Sequence, residues 1–402
     1  MFDHEHYVPI LKLKGAEMGA LCKLLSDEVN LITPLIQLCP PARKDLEKME
    51  FTDSSNIDYF SNLVIKAGES WAGAPFFIDT ELIETLFPLP FPHPMKYFCD
   101  ISREMYLKPI PVIGLNRTPR YRTAVKNAIT LDKRGVCIRL LEEDFENLKL
   151  THDLNSTLTF LGLKPQDVDI LVDLKLIGNA SISLLGICKL LPYLSEWRTF
   201  TLSSGCFPSS AKDYPMNDEY EISRDDWKFW LNSVSELNGR YRIPTFSDYT
   251  IQSPEYSEPP EGSNPSAKIR YAWSDYWVLM RGQALFDREH YISPGFKQYF
   301  GLAKLLIQRK EFCGDNYSFG DQYILRCAEE MKNTGNLKTW LEADINHHLT
   351  FTARQIVSIF RTEPTLKPAL RNTSQKPLPR IWPQRRVSLS SARYQRFLFS
   401  PM

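Results

Sequence analysis

The chain has 402 residues, 43% of them hydrophobic and 24% charged, with 48 basic and 48 acidic side chains. That length buries a full core without disulfide or metal staples, and the composition is that of a globular protein rather than a largely disordered one. The zero net charge hides an asymmetry: the eight charged residues after Glu363 are all basic, leaving 40 basic against 48 acidic in residues 1–363, a net of −8.

The start, "MFDHEHYV", has no basic segment followed by an apolar one, so no secretory signal is expected. The most apolar helical stretch, "SISLLGICKLLPYL" (181–194), is interrupted by Lys189 and Pro192 and is too short to cross a bilayer. Of the eight cysteines no two are closer than the 14 positions between Cys313 and Cys327, which excludes C-x-x-C chemistry and a dense disulfide framework. A cytoplasmic location without membrane contact is the expectation.

Along the chain, short β-type runs alternate with amphipathic segments. The runs are 7–13, 32–38, 75–79, 111–115, 135–141, 168–174, 199–203 and 243–251; helices are expected at 16–29, 55–67, 94–106, 119–131, 143–161, 179–196 and 223–238. The last begins "SRDDWKFW", with Ser223 placed to accept from first-turn amides and Asp226 at the capping-box position. Eight such units in about 250 residues fit a (β/α)8 TIM-like barrel over 1–251. An open parallel α/β sheet is the alternative.

Residues 252–268 are rich in Pro, Ser, Glu and Gly and read as a long exposed loop. Two aromatic-rich runs around Ser274 and Asp275 then predict a hairpin over 269–282, and helices near 295–309, 319–333 and 352–361 complete a C-terminal α+β lobe (252–363) packing on the barrel. Residues 364–402 are Pro-, Ser- and Arg-rich, a composition of disordered tails.

In a barrel of this kind function collects at the C-terminal ends of the strands. Those ends carry Lys12, Lys14, Gln37, Asp79, Asn116, Arg139, Asp173, Lys175, Ser203, Ser204, Asp248 and Tyr249. Such a mouth can bind an anion, hold a cation through carboxylates, or supply acid and base. Asp173 and Asp248 are candidate bases or metal ligands. Arg139 is flanked by apolar residues, and its burial requires a partner such as Asp173 or Asp79. His4 and His6 in "HEH" precede the first strand, at the end of the barrel away from function, and no metal is assigned to them. Phosphate-loop, dinucleotide, zincin and hydrolase-elbow motifs are absent, and no cofactor is named. The tail interleaves arginines with aromatics in "PRIWPQRR" and "ARYQRF", which suits nucleic acid, although the acidic body disfavours that reading.

"DINHHLT" (344–350) sets His347 beside His348 in the lobe; were 347–351 extended, the two rings would face opposite sides and make poor joint ligands. Either ring can serve as acid, base or ligand.

Taken in order, "YVPILKLKGAEMGAL", "ITPLIQL", "VDILVDL", "FSDYTI", "AKIRYAW", "MRG", "SFGDQYI" and "NHHLT" resemble the Beta protein family of bacteriophages, satellite phages and bacterial mobile elements, over residues 7 to about 356. The resemblance implies a role in defence or toxin-neutralising modules beside a toxic or effector protein encoded nearby. Asp248, Tyr249, Arg270, Tyr271, His347 and His348 match its motifs, as do Lys14 and Glu17; Gln37 stands where an acid is expected. The sites to test are thus Asp173, Asp248, His347 and His348 for catalysis, with Lys14, Arg139, Tyr249, Arg270 and Tyr271 for substrate binding. A hydrolase or phosphodiesterase-like enzyme acting on an anionic substrate is the competing expectation.

Overall fold

Every β-type run of the first 251 residues forms a strand of one parallel sheet. The structure is a computed structural model that describes residues 2–258, 261–287, 292–331 and 333–362; the basic tail lies outside the described residues. Strands β1 (Ile10–Lys12), β2 (Leu35–Gln37), β3 (Phe76–Asp79), β4 (Pro109–Ile113), β5 (Val136–Leu141), β6 (Val168–Leu176), β7 (Thr199–Gly205) and β9 (Thr245–Ser247) pair in that order. The last meets the first through Val8 N donating to Phe246 O at 3.1 Å and Ile10 N to Asp248 O at 2.8 Å, which makes a nearly closed barrel with one seam.

Alternation along each strand sorts the side chains. Val8, Ile10, Leu35, Phe77, Ile110, Val112, Cys137, Leu171 and Tyr249 fill the barrel, while Tyr7, Leu11, Ile36, Ile78, Ile138 and Phe246 face the surrounding helices. Full burial of each such aliphatic side chain contributes roughly 1.5–3 kcal/mol.

The helices form where capping chemistry starts them. Asp53–Ser70 begins at a reciprocal Thr52/Ser55 capping box, and Pro94–Glu104 and Pro119–Asp132 each place proline in the first turn. Three expected helices are shorter or broken. Residues 16–29 split into Gly15–Cys22 and Ser26–Val29, and 143–161 into Glu142–Glu146 and Leu150–Leu161, where Asn147 turns extended. The 179–196 helix contracts to Leu184–Leu190, started by Ser183 accepting from Gly186 N, with Pro192 just beyond its end. Ser223 does not cap the helix Asp225–Glu236: it ends a strand, β8 (Asp218–Ser223), and Asp226 is buried instead of closing a capping box.

Strand β8 arises in the connection between β7 and β9 and was not expected. It pairs antiparallel with β11 (Tyr276–Ala284), which pairs with β10 (Ser266–Trp273) in the expected hairpin, giving the order β10-β11-β8. A segment before residue 251 therefore completes the sheet of the lobe. Helices Gln298–Ile307 and Phe319–Ala328 and the C-terminal helix Leu337–Thr362 cover this sheet around Ile269, Tyr271, Met280, Ile324 and Trp340. The C-terminal helix takes in the whole of "DINHHLT", so an extended 347–351 is corrected. The loop after β9 is only partly exposed, because Ser253 and Pro254 are buried against the barrel. Among the described residues no helix is long and apolar enough to cross a membrane.

Candidate functional site

At the C-terminal ends of the strands, inward-facing polar residues of β3, β5 and β6 and Tyr249, just beyond β9, join in one buried network. Arg139 Nη1 donates to Asp79 Oδ2 at 2.8 Å; its Nε and Nη2 donate to Asp173 Oδ2 at 3.0 and 2.6 Å. Nη2 also donates to Tyr249 OH at 2.7 Å, and that hydroxyl donates to Asp173 Oδ2 at 2.7 Å. Asp79 Oδ1 accepts from Tyr121 OH at 3.2 Å and Glu81 N at 3.0 Å. All of these side chains are essentially inaccessible, so Arg139 has the carboxylate partners that its burial demands.

The network fixes the charge of its members. Burial alone would raise the pKa of Asp173, but Arg139, Lys175 and the bond from Tyr249 bring it down to about 2. Asp173 therefore stays ionised with Oδ2 crowded by donors, which suits an electrostatic anchor better than a base working near neutrality.

Lys175 is the part of this network that reaches solvent. Pairing of β6 with β7 is irregular between Asp173 and Leu176, and Lys175 adopts a left-handed backbone with φ 55°. A non-glycine residue held there costs on the order of 1–3 kcal/mol and marks a position that the surroundings enforce. Its amide donates to Asp173 Oδ1 at 3.0 Å and its Nζ lies 3.3 Å from Asp173 Oδ2, with 40% of the side chain exposed. Burial and the Arg139 charge lower its pKa against the pull of Asp173.

Lys12, Lys14 and Glu17 form the rim beside β1. Lys12 Nζ donates to Ser253 O at 3.3 Å and Lys14 Nζ to Glu258 Oε1 at 3.1 Å, both in the loop after β9. Burial lowers the pKa of Lys12, with Lys14 and Lys175 adding to it against Glu17. Glu17 is only 4% exposed, and burial raises its pKa despite Lys12, Lys14 and Lys66 nearby. One mouth thus holds a carboxyl that gains its proton easily and another that loses it, the pattern by which acid and anion roles separate.

Asp248 is not part of this mouth. Thr245, Ser247 and Tyr249 share the inward face, so Asp248 points outward, away from Asp173, and the two cannot ligate one metal. It accepts from Tyr7 OH at 2.5 Å and His348 Nε2 at 2.8 Å, and Trp277 Nε1 donates to His348 Nδ1 at 3.2 Å. Asp248 and His348 are fully buried. They join the barrel wall to the C-terminal helix and the lobe sheet.

His347 lies one position along the same helix and turns toward the lobe. Nδ1 lies 2.8 Å from Asp321 Oδ2 and Nε2 2.9 Å from Ala272 O, both within hydrogen-bond distance. The ring stacks on Tyr271 at 3.7 Å, whose hydroxyl donates to Asp321 Oδ1 at 2.6 Å and accepts from Cys313 N at 2.8 Å. Arg270 Nη1 pairs with Asp344 Oδ2 at 3.1 Å. His347, Tyr271 and Arg270 are therefore lobe residues outside the mouth, and among the described residues no cluster of His, Cys, Asp and Glu is placed to hold a metal ion.

Arg139, Asp173, Asp79 and Tyr249, all read from the sequence as strand-end residues, meet in this network. The sequence marks Lys12 and Lys175 likewise as strand-end residues and Glu17 only as part of a motif; alternation from Ile10 and the turn into the first helix were the available signals. At the opposite end of the barrel a cavity of about 310 Å³ is lined by Lys133, Gly135, Gly162, Asp167 and Arg198 among others. Arg198 there is committed to Asp169, at 2.5 Å, and to Arg134 O.

The profile of the Beta protein family matches residues 7–354. The chain belongs to the Beta protein family. The matched span includes every barrel strand, the mouth network and both histidines of the C-terminal helix. No curated protein matches the chain. Among solved structures it is similar to a GH138 enzyme targeting pectin rhamnogalacturonan II, with 11% identity and a TM-score of 0.35. That alignment covers 61% of this chain and 34% of that chain, so the chain spans about a third of the enzyme's length, and the similarity is too low to carry fold or activity.

Proposed function

We propose that this Beta-family protein binds an anionic group at the barrel mouth and works in the cytoplasm as a component of phage or mobile-element conflict modules, in defence or toxin neutralisation, with a toxic or effector partner encoded nearby. The observation that carries the ligand class is Lys175. Its enforced left-handed backbone presents an ammonium at the open edge of a network whose carboxylates are already paired, with Lys12 and Lys14 on the same rim. Three ammonium groups converging on one rim attract an anion, which would compete with Asp173, Glu258 and Ser253 O for them. Calorimetric titration with inorganic phosphate and a nucleoside monophosphate tests it: binding that Lys175→Met and Lys12→Met each weaken supports the reading, and binding indifferent to both overturns it. The module role is tested by infection or toxin-rescue assays with the same variants and the neighbouring gene.

A second reading, hydrolysis of an anionic substrate of the phosphodiester class, is favoured by the split between Glu17 and Asp173. Glu17 would protonate the leaving group while Lys175 and Lys12 hold the anion, with Arg139 anchoring the carboxylate beneath them. Turnover of a nitrophenyl phosphodiester, lost in Glu17→Gln with ligand binding kept, is its signature. A Glu17→Gln variant as active as wild type removes it.

A further inference from the structure

Three cations meet on one face of the lobe hairpin. Lys268 on β10 stands opposite Arg281 on β11, and Arg270, two residues along β10, shares that face. Like charges directly opposite one another weaken a sheet, so the arrangement calls for compensation. The chain supplies part of it. Arg281 donates to the carbonyls of Ala211 and Tyr214, and Arg270 holds Asp344 Oδ2 at 3.1 Å. Among the described residues Lys268 has a partner for its amide, Tyr299 OH at 3.2 Å, and none for its ammonium.

One feature aims this group. The β10/β11 register shifts between Ser266 and Lys268, and a bulge of this kind redirects the side chain beside it. Asp344 is wholly buried beneath, and its Oδ1 has no hydrogen-bond partner. The Phe207 ring, 5.9 Å from the Arg270 guanidinium, provides an apolar wall.

We propose that this face of the lobe is a second, independent anion site, in which the Lys268 ammonium and the Arg270 guanidinium grip a phosphate-type oxyanion. The site shares no residue with the barrel mouth. Ammonium and guanidinium together match the charge and the several acceptor oxygens of such a group. Burial first, then the Arg270 and Arg281 charges, lower the pKa of Lys268 to about 8, and a bound anion reverses that effect. Burial raises the Asp344 carboxyl to about 7 against the pull of Arg270, so near neutrality it is protonated in part and repels an arriving anion less.

The test is site-resolved amine labelling of the full chain by acetic anhydride, read by mass spectrometry with and without millimolar inorganic phosphate. An amine with a lowered pKa labels readily, and phosphate is expected to slow acetylation of Lys268 by about tenfold, the weight of one good charge-assisted contact. The protection persists in Lys175→Met, which separates this site from the mouth, and is lost in Arg270→Gln. Labelling of Lys268 that phosphate leaves unchanged in the wild-type chain overturns the proposal, as does full protection in a folded Arg270→Gln variant.

Discussion

Trp277 Nε1 donates to His348 Nδ1 at 3.2 Å, and because an indole nitrogen only donates, the proton of His348 sits on Nε2, facing Asp248 Oδ2 at 2.8 Å. The neutral ring is satisfied at both nitrogens. Burial lowers its pKa below 6.5, outweighing Asp248. An unfolded chain takes up a proton that the folded ring refuses, so this contribution is present above pH 6.5 and is lost as pH falls below it. His348→Gln keeps a donor but does not titrate. It is expected to cost about 1–3 kcal/mol near neutrality and to flatten the urea midpoint between about pH 7 and pH 5. A variant whose midpoint tracks that of the wild type across this range refutes the assignment.

Asp226 works in the opposite sense. Burial, followed by the Asp248 charge, raises its pKa to about 7 against the pull of Arg224, and its Oδ2 has no hydrogen-bond partner. A raised folded pKa gives stability that is full below the unfolded value of 3.8 and is lost as pH rises through about 7. Asp226→Asn keeps the acceptor for Trp227 N, at 2.7 Å, and removes the ionisation. The variant should be more stable than wild type near pH 8, by about 1–2 kcal/mol, and that advantage should narrow steadily as pH falls toward about 4. Parallel stability curves for the two proteins contradict it.

The barrel was legible because parallel strands covered on both faces read as near-continuous apolar runs, and their polar ends name the mouth. Asp79, Arg139, Asp173 and Tyr249 followed from position alone. Asp248 was misplaced by one step of alternation: in "TFSDY" it shares the outward face of Phe246, and register decides which neighbour enters the barrel. Strand β8 gave no local signal, because "DEYEIS" buries only Ile222 and gains its order from pairing with the distant β11. "DINHHLTFT" is rich in β-branched and polar residues of middling helix propensity, and the helix it forms rests on contacts made on both sides. Side-chain pairing between elements hundreds of residues apart, such as Tyr7 with Asp248, is beyond any window along the chain.

Gly320 marks where two lobe helices touch backbone to backbone. A Cβ there would lie 2.2 Å from Ala343 O, and Gly320 N donates to Asn346 Oδ1 at 3.1 Å, whose amide in turn donates to Ala20 O at 3.0 Å. The obstacle is backbone, which cannot rotate aside. Gly320→Ala is expected to lose about 1–3 kcal/mol or more by forcing the helices apart, although alanine is the better helix former. Thermal unfolding of the variant checks this, and a midpoint at or above that of wild type means the helices separate freely.

The Arg139 network allows a sharper test, because its partners can be removed singly or together. Arg139→Met leaves Asp79 with only Arg117, 3.8 Å away, and Asp173 with only the half-exposed Lys175, and breaking such a buried pair costs about 3–5 kcal/mol. Asp173→Leu alone strands the guanidinium with Asp79. In Arg139→Met/Asp173→Leu the lost attraction and the lost desolvation fall together, while Asp79 keeps Tyr121 OH and Glu81 N. The double variant should therefore be no less stable than Arg139→Met, a coupling of about 2–3 kcal/mol between contacting residues. Because the pair is sealed from solvent, raising the salt should leave that coupling unchanged, whereas a surface pair would be screened. Additive losses in denaturant titrations would show that Arg139 and Asp173 act separately and that the carboxylate does not depend on the guanidinium for its charge.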